Sequence, residues 1–146
     1  MSYDLLVFDQ ANAPRELASF ENWIGDLRSA AETGDPLEKP SREAFQAFYD
    51  GMTGSFPDMN GPSGEGIEDH ERLTGYEFQP EYVLMDFRWS VAEDAGPVVI
   101  DFAERSGLGV YDFNGALIFT DDADLGVVEG SAPQGFLGRL FNKLFG

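Results

Sequence analysis

The run Leu5-Leu6-Val7-Phe8 lies between Asp4 and Asp9. Four consecutive apolar residues with a charge at each end are too short for a helix and read as a buried strand. Pro14 follows where a helix can start, because its fixed φ and missing N–H are tolerated in a first turn. Leu17, Phe20, Ile24, Leu27 and Ala31 recur at spacings of three and four, with Trp23 beside them. That stripe predicts a helix over 14–31, ending near Gly34.

Asp35-Pro36 and Lys39-Pro40 punctuate a connector, and Ser41 is placed to cap a second helix. Its stripe is Phe45, Phe48, Tyr49 and Met52, it ends near Gly54, and the two helices are expected to pack as a pair. Glycines and prolines through 55–80 predict a long irregular loop, the kind of segment that carries function in a small domain. From Glu81 to Trp89 the chain alternates. Val83, Met85, Phe87 and Trp89 form a core face, and Tyr82, Leu84, Asp86 and Arg88 form a partly polar one. Ser90 and Glu93 are spaced as a capping box before Val91, Ala95, Val98, Val99 and Phe102, and Gly107 is the stop. Gly96-Pro97 predicts a kink in that helix or a start at Pro97. Asn114-Gly115 between two β-rich runs predicts a hairpin with a two-residue turn.

The resulting order is β-α-α-β-α-β-β. It predicts an α+β fold, a small two-layer sandwich with a mostly antiparallel sheet and helices on one face. Residues 1–130 form the domain, and 131–146 a linker and amphipathic tail.

Charge narrows the partners. There are 27 Asp and Glu against nine Lys and Arg, a net charge of -18, and every acid precedes residue 131. Such an anion repels nucleic acid and anionic membrane and steers toward basic proteins. The 42% of hydrophobic residues is enough for one core, which argues against disorder. Without cysteine there is no disulfide, thiolate zinc site or cysteine nucleophile. The N-terminal residues lack the basic region of a signal peptide, and no run of about 18 apolar residues is present, so a cytoplasmic location is expected.

No constellation specifies a reaction. His70 is the single histidine, and no second histidine or cysteine completes a metal shell around it. Thr120-Asp-Asp-Ala-Asp124 fails the spacing of a calcium loop in both registers. Gly61-Pro-Ser-Gly-Glu-Gly66 lacks the Lys-Ser/Thr pair of a phosphate loop, and no Gly-x-Ser-x-Gly elbow occurs. No catalytic residue, metal or cofactor is therefore expected. The leading reading is a noncatalytic module, immunity-type if its basic partner is a toxin, binding through Met59, Tyr76 and Phe78 with the acids Glu65, Glu68, Asp69 and Glu71. The alternative is a metal-dependent hydrolase in which Asp58, Asn60, Glu68, Asp69 and His70 converge. In the tail, Phe136, Leu137, Leu140, Phe141 and Leu144 would oppose Arg139, Asn142 and Lys143 on a helix. That pattern favours docking on protein, with only weak membrane affinity.

Ser2-Tyr-Asp-Leu-Leu-Val-Phe-Asp9, Ala13-Pro14, Trp23, Phe56-Pro-Asp-Met-Asn-Gly-Pro62 and the late hairpin together resemble a family of small, acidic, uncharacterised bacterial proteins over roughly residues 1–120. The resemblance implies no catalytic residue.

Overall fold

The structure, a computed structural model, describes residues 2–66, 70–121 and the backbone of 127–128. Among the described residues six strands form one sheet: β1 (Ser2–Asp9), β2 (Gly75–Phe78), β3 (Tyr82–Arg88), β4 (Leu108–Asp112), β5 (Ala116–Ile118) and β6 (Val127–Val128). Their order is β2-β3-β1-β4-β5-β6 and every pairing is antiparallel. The helices are α1 (Leu17–Ala31), α2 (Glu43–Met52) and α3 (Ala92–Ser106). The class is α+β.

The helices lie on both faces of the sheet. Tyr3, Leu5 and Val7 of β1 pack with Phe45, Phe48 and Met52 of α2 and with Ala95, Val99 and Ala103 of α3. Leu6 and Phe8 point the other way, into a second cluster with Phe20 and Ile24 of α1 and with Tyr111, Leu117 and Phe119. The expectation of helices on one face is corrected for a simple reason. Leu5 to Phe8 has no polar alternate, so both faces of β1 must be covered, and two helices on one side cover only one.

Local chemistry accounts for the other differences. Ser41 does not cap α2; its Oγ donates to the Pro80 carbonyl at 3.1 Å, and Arg42 occupies the cap position. α1 begins at Leu17 rather than at Pro14. Ser90 and Glu93 form no capping box: a 3₁₀ turn over Trp89–Val91 leads into α3, which starts at Ala92 and runs through Pro97. The backbone bond that Pro97 forfeits lies near the helix start, and burial of Ala95, Val99, Ile100 and Ala103 holds the segment to the sheet. Gly107 ends α3 in the left-handed region as expected.

The late hairpin is present with a different turn. Asp112 pairs with Ala116, so three residues form the loop, and Gly115 N–H donates to the Asp112 carbonyl at 2.8 Å. Only Gly115 has positive φ, at 103°, while the Asp112 carboxylate accepts from the Asn114 backbone N–H at 2.7 Å. That side-chain bond satisfies Asn114 at negative φ, where a two-residue type I′ turn would need both central residues positive. The 55–80 stretch is also more regular than its composition predicts, since it contains a 3₁₀ turn at Pro62–Gly64 and the edge strand β2. Among the described residues no helix is long and apolar enough to cross a membrane. The linker and tail of 131–146 lie outside the described residues.

Candidate functional site

Gln79 N–H bonds the Tyr82 carbonyl at 2.9 Å across the β2–β3 turn, which fixes the facing of the strand. Alternation then turns the backbones of Thr74, Tyr76 and Phe78 toward the outer edge. Two loops dock there. Thr74 N–H donates to Pro57 O at 2.9 Å, Met59 N–H donates to Thr74 O at 3.0 Å, and Leu37 N–H donates to Phe78 O at 2.9 Å. Tyr76 lies between the two anchors. Leu37, 39% exposed, is the bridge partner of Phe78 and stands on the α2 side, whereas Pro36 before it and Met59, 49% exposed, border the opposite face of the edge.

The loop that carries Met59 is organised by a buried acid. Asp58 is only 5% exposed, yet both of its oxygens are engaged. Oδ1 accepts from Asn60 N–H at 2.9 Å and Oδ2 from Tyr49 OH at 2.7 Å. The Asp58 N–H donates to Ser63 Oγ at 3.0 Å, and its carbonyl accepts from Gly61 N–H at 3.1 Å. Phe56 is fully buried, and its carbonyl accepts from Tyr76 OH at 2.6 Å. Burial first, and after it the hydrogen bond to Asp58 for Tyr49 and the Asp58 charge for Tyr76, push both phenols well above the usual tyrosine range. The Phe-Pro-Asp-Met-Asn-Gly-Pro segment is thus a pinned loop that presents Met59 and Asn60 to solvent.

On the α1 side of the sheet, cover runs out toward this edge. Phe20 stacks on Phe8 and Tyr111, with ring centroids 4.7 and 5.0 Å apart, so α1 sits over β1 and β4. Beyond it Leu84 and Glu77 are half-buried and Asp86 is exposed. A cleft of about 300 Å³ opens there, with Met59, Leu84, Glu77 and Asp86 in its lining. A polar cavity of about 140 Å³, lined by Arg28 and Glu32 among others, lies between it and an apolar one of about 230 Å³ at the end of α1 beside Tyr82.

Like charges meet at this face. Asp4 and Asp86 are direct cross-strand partners, and Gly75 is the partner of Asp86 on the other side. The Asp86 carboxylate accepts Gly75 N–H at 3.2 Å, and a Cβ at position 75 would come within 2.5 Å of its Oδ1. Although the residue is exposed, packing of its carboxylate against Gly75 partly desolvates it and raises the pKa of Asp86, the Gly75 bond opposes that rise, and the nearby Asp4 and Glu77 add to it.

The predicted site residues divide. Met59 lines the cleft, and Glu65 and Glu71 are exposed. Glu68 and Asp69 lie outside the described residues. Tyr76 borders the cleft, but its ring and that of Phe78 are buried and stand edge-on to Tyr49, with centroids 5.1 and 5.0 Å away. The reason is again alternation, which sends 76 and 78 to the α2 side of β2 while Glu77 takes the open side. His70 is exposed and its Nδ1 accepts from Arg72 N–H at 3.1 Å, while Asp58 is turned into its own loop. Among the described residues no group of three or more His, Asp or Glu is gathered to hold a metal. Asp121 faces Arg15, with Oδ2 at 2.7 Å from the guanidinium, and that bond holds its carboxyl below the usual range.

Pro36, Glu77 and Asp86 escaped the sequence reading as site residues. The partly polar face of β3 was visible in the alternation, but its neighbours come from the connector after α1 and from β2. No protein-family model, curated protein or solved structure matches this chain.

Proposed function

We propose that this chain is a noncatalytic protein-binding module that captures a basic protein on the uncovered face of β2 and β3, an immunity-type role where that protein is a toxin. One observation carries the reading: exposed Pro36 and Met59 line a cleft whose charged lining residues, Glu77 and Asp86, are both acids. Apolar side chains at a rim supply contact area, and carboxylates beside them select cationic partners and speed encounter. The overall charge of -18 extends that steering beyond the contact surface.

The test separates docking from charge alone. A basic protein is captured from the source cells on the immobilised full chain, identified, purified, and its affinity measured for wild type and for Pro36→Asp/Met59→Asp. The double variant adds two negative charges. Docking on this face predicts a loss of about tenfold or more, since two buried apolar contacts are replaced by solvated acids. Equal or tighter binding by the variant would mean that charge alone recruits the partner, and the face reading would fall.

A further inference from the structure

The three cavities share lining residues and form one path along β3. The acidic cleft and the polar cavity have Glu77 and Leu84 in common, and the polar and apolar cavities share Ala31 and Tyr82. Asp86 marks one end and Tyr82 the other, four residues apart on one strand and on one face of it. At about 3.3 Å per residue the ends are about 13 Å apart. Their chemistry differs. The apolar end is walled by Leu27, Ala30, Ala31, Pro80 and Tyr82, and the acidic end has Leu84 and Met59 beside two carboxylates.

Resting on the reading above, we infer that this path holds an extended segment of the basic partner carrying an arginine and, four residues away, a large apolar side chain. Residues i and i+4 of an extended chain point to the same side and are spaced like the two ends of the path. The arginine stem would lie along Leu84 and Met59, and its planar fork can address Glu77 and Asp86 together, which the point charge of lysine does less well. The Gln79 amide already holds one Glu77 oxygen at 3.2 Å, so the carboxylate is oriented before the partner arrives. Leu27 and Ala31, at the end of the α1 stripe, overhang the sheet there and form the receiving wall for the apolar residue.

Two synthetic peptides test this, Gly-Arg-Ser-Thr-Ser-Leu-Gly and its reverse order, titrated to millimolar concentration into the isotope-labelled full chain while backbone amide shifts are followed. One order should bind and shift Ala31, Tyr82, Leu84 and Asp86. Affinity should fall about tenfold or more when the spacing is cut to two, when the arginine becomes citrulline, or when the protein carries Glu77→Gln/Asp86→Asn or Ala31→Trp. Ala30→Trp, at an exposed position in the same wall, serves if Ala31→Trp perturbs the fold. Indifference to spacing, or unchanged affinity in both tryptophan variants, would overturn the inference. If a captured basic protein is lost by Pro36→Asp/Met59→Asp but tolerates Glu77→Gln/Asp86→Asn and Ala31→Trp, the path is wrong and the face reading stands. If the captured protein ignores the apolar rim as well, both fall.

Discussion

Replacing Asp58 with alanine is the most discriminating perturbation of the fold around the cleft. Asp58 is buried and accepts from Tyr49 OH at 2.7 Å and from Asn60 N–H at 2.9 Å. Hydrogen bonds to a charged acceptor contribute about 1.5–3 kcal/mol each, which brackets the two at about 3–6 kcal/mol. Asn60 is exposed and its amide can turn to water, and the variant no longer has to bury a carboxylate, so the net falls toward the lower end. Asp58→Ala should therefore destabilise by about 3 kcal/mol, and Tyr49→Phe, which removes one bond, by about 1–2 kcal/mol. Urea unfolding of both single variants and the double variant reads these values and their coupling, which should be at least about 0.5 kcal/mol because the side chains are in direct contact. Carboxylates kept for chemistry are often a cost to stability, and removing them leaves a protein as stable or more so. If Asp58→Ala loses less than about 1 kcal/mol, Asp58 is not the pin of this loop and the reasoning about how Met59 is presented fails.

Asp112 and Asp86 both have raised pKa values, with burial as the largest cause. A carboxyl whose native pKa lies above its unfolded value keeps its proton longer in the native state, so its contribution is greatest below the unfolded value and is lost as pH rises through the native one. Thermal unfolding should accordingly show a higher midpoint on mild acidification from pH 7 toward the upper carboxylate range, and Asp86→Asn should flatten that rise; a midpoint that falls over this interval contradicts the assignment. Gly115→Ala should cost about 1–3 kcal/mol, because a side chain at φ 103° is strained. An alanine variant as stable as wild type in urea would show that the turn does not hold this geometry.

What the sequence made readable was whatever depends on neighbours along the chain. The stripes of α1, α2 and α3, the strand at Leu5–Phe8 and the alternation of β3 all follow from spacing, and each appears close to where spacing puts it. The distribution of helices over two faces was implicit in the unbroken apolar run of β1, but adjacency in sequence suggested that α1 and α2 pair, and sheet cover overrode it. β2 was hidden because Gly75 and the flanking Gln79-Pro80 read as breakers, whereas Gly75 makes room for the Asp86 carboxylate and Pro80 sits in the turn. Tyr76 and Phe78 looked like anchors only while the segment looked like a loop. Once it is a strand, every second side chain is claimed by the core, and Glu77 is the one left facing out.

The placement of the cations gives the open face its meaning. With nine Lys and Arg against 27 acids, most carboxylates have no cation to meet. Arg42 joins Asp9 at 2.8 Å and Glu81 at 3.0 Å, Arg72 reaches Asp94 at 3.5 Å, and Arg105 reaches Asp101 at 3.2 Å. Asp4 and Asp86 instead face each other across a strand pair, an arrangement that destabilises a sheet, and the charged groups that shift Asp86 are Asp4 and Glu77. On the same face Arg88 stands at the end of β3, next to Ser2, and Arg28 lines the polar cavity beside Glu77. The native state thus carries a local repulsion that a bound cation would relieve. Relief of that kind acts only on the folded chain, so a basic partner bound as proposed would also raise the stability of the domain.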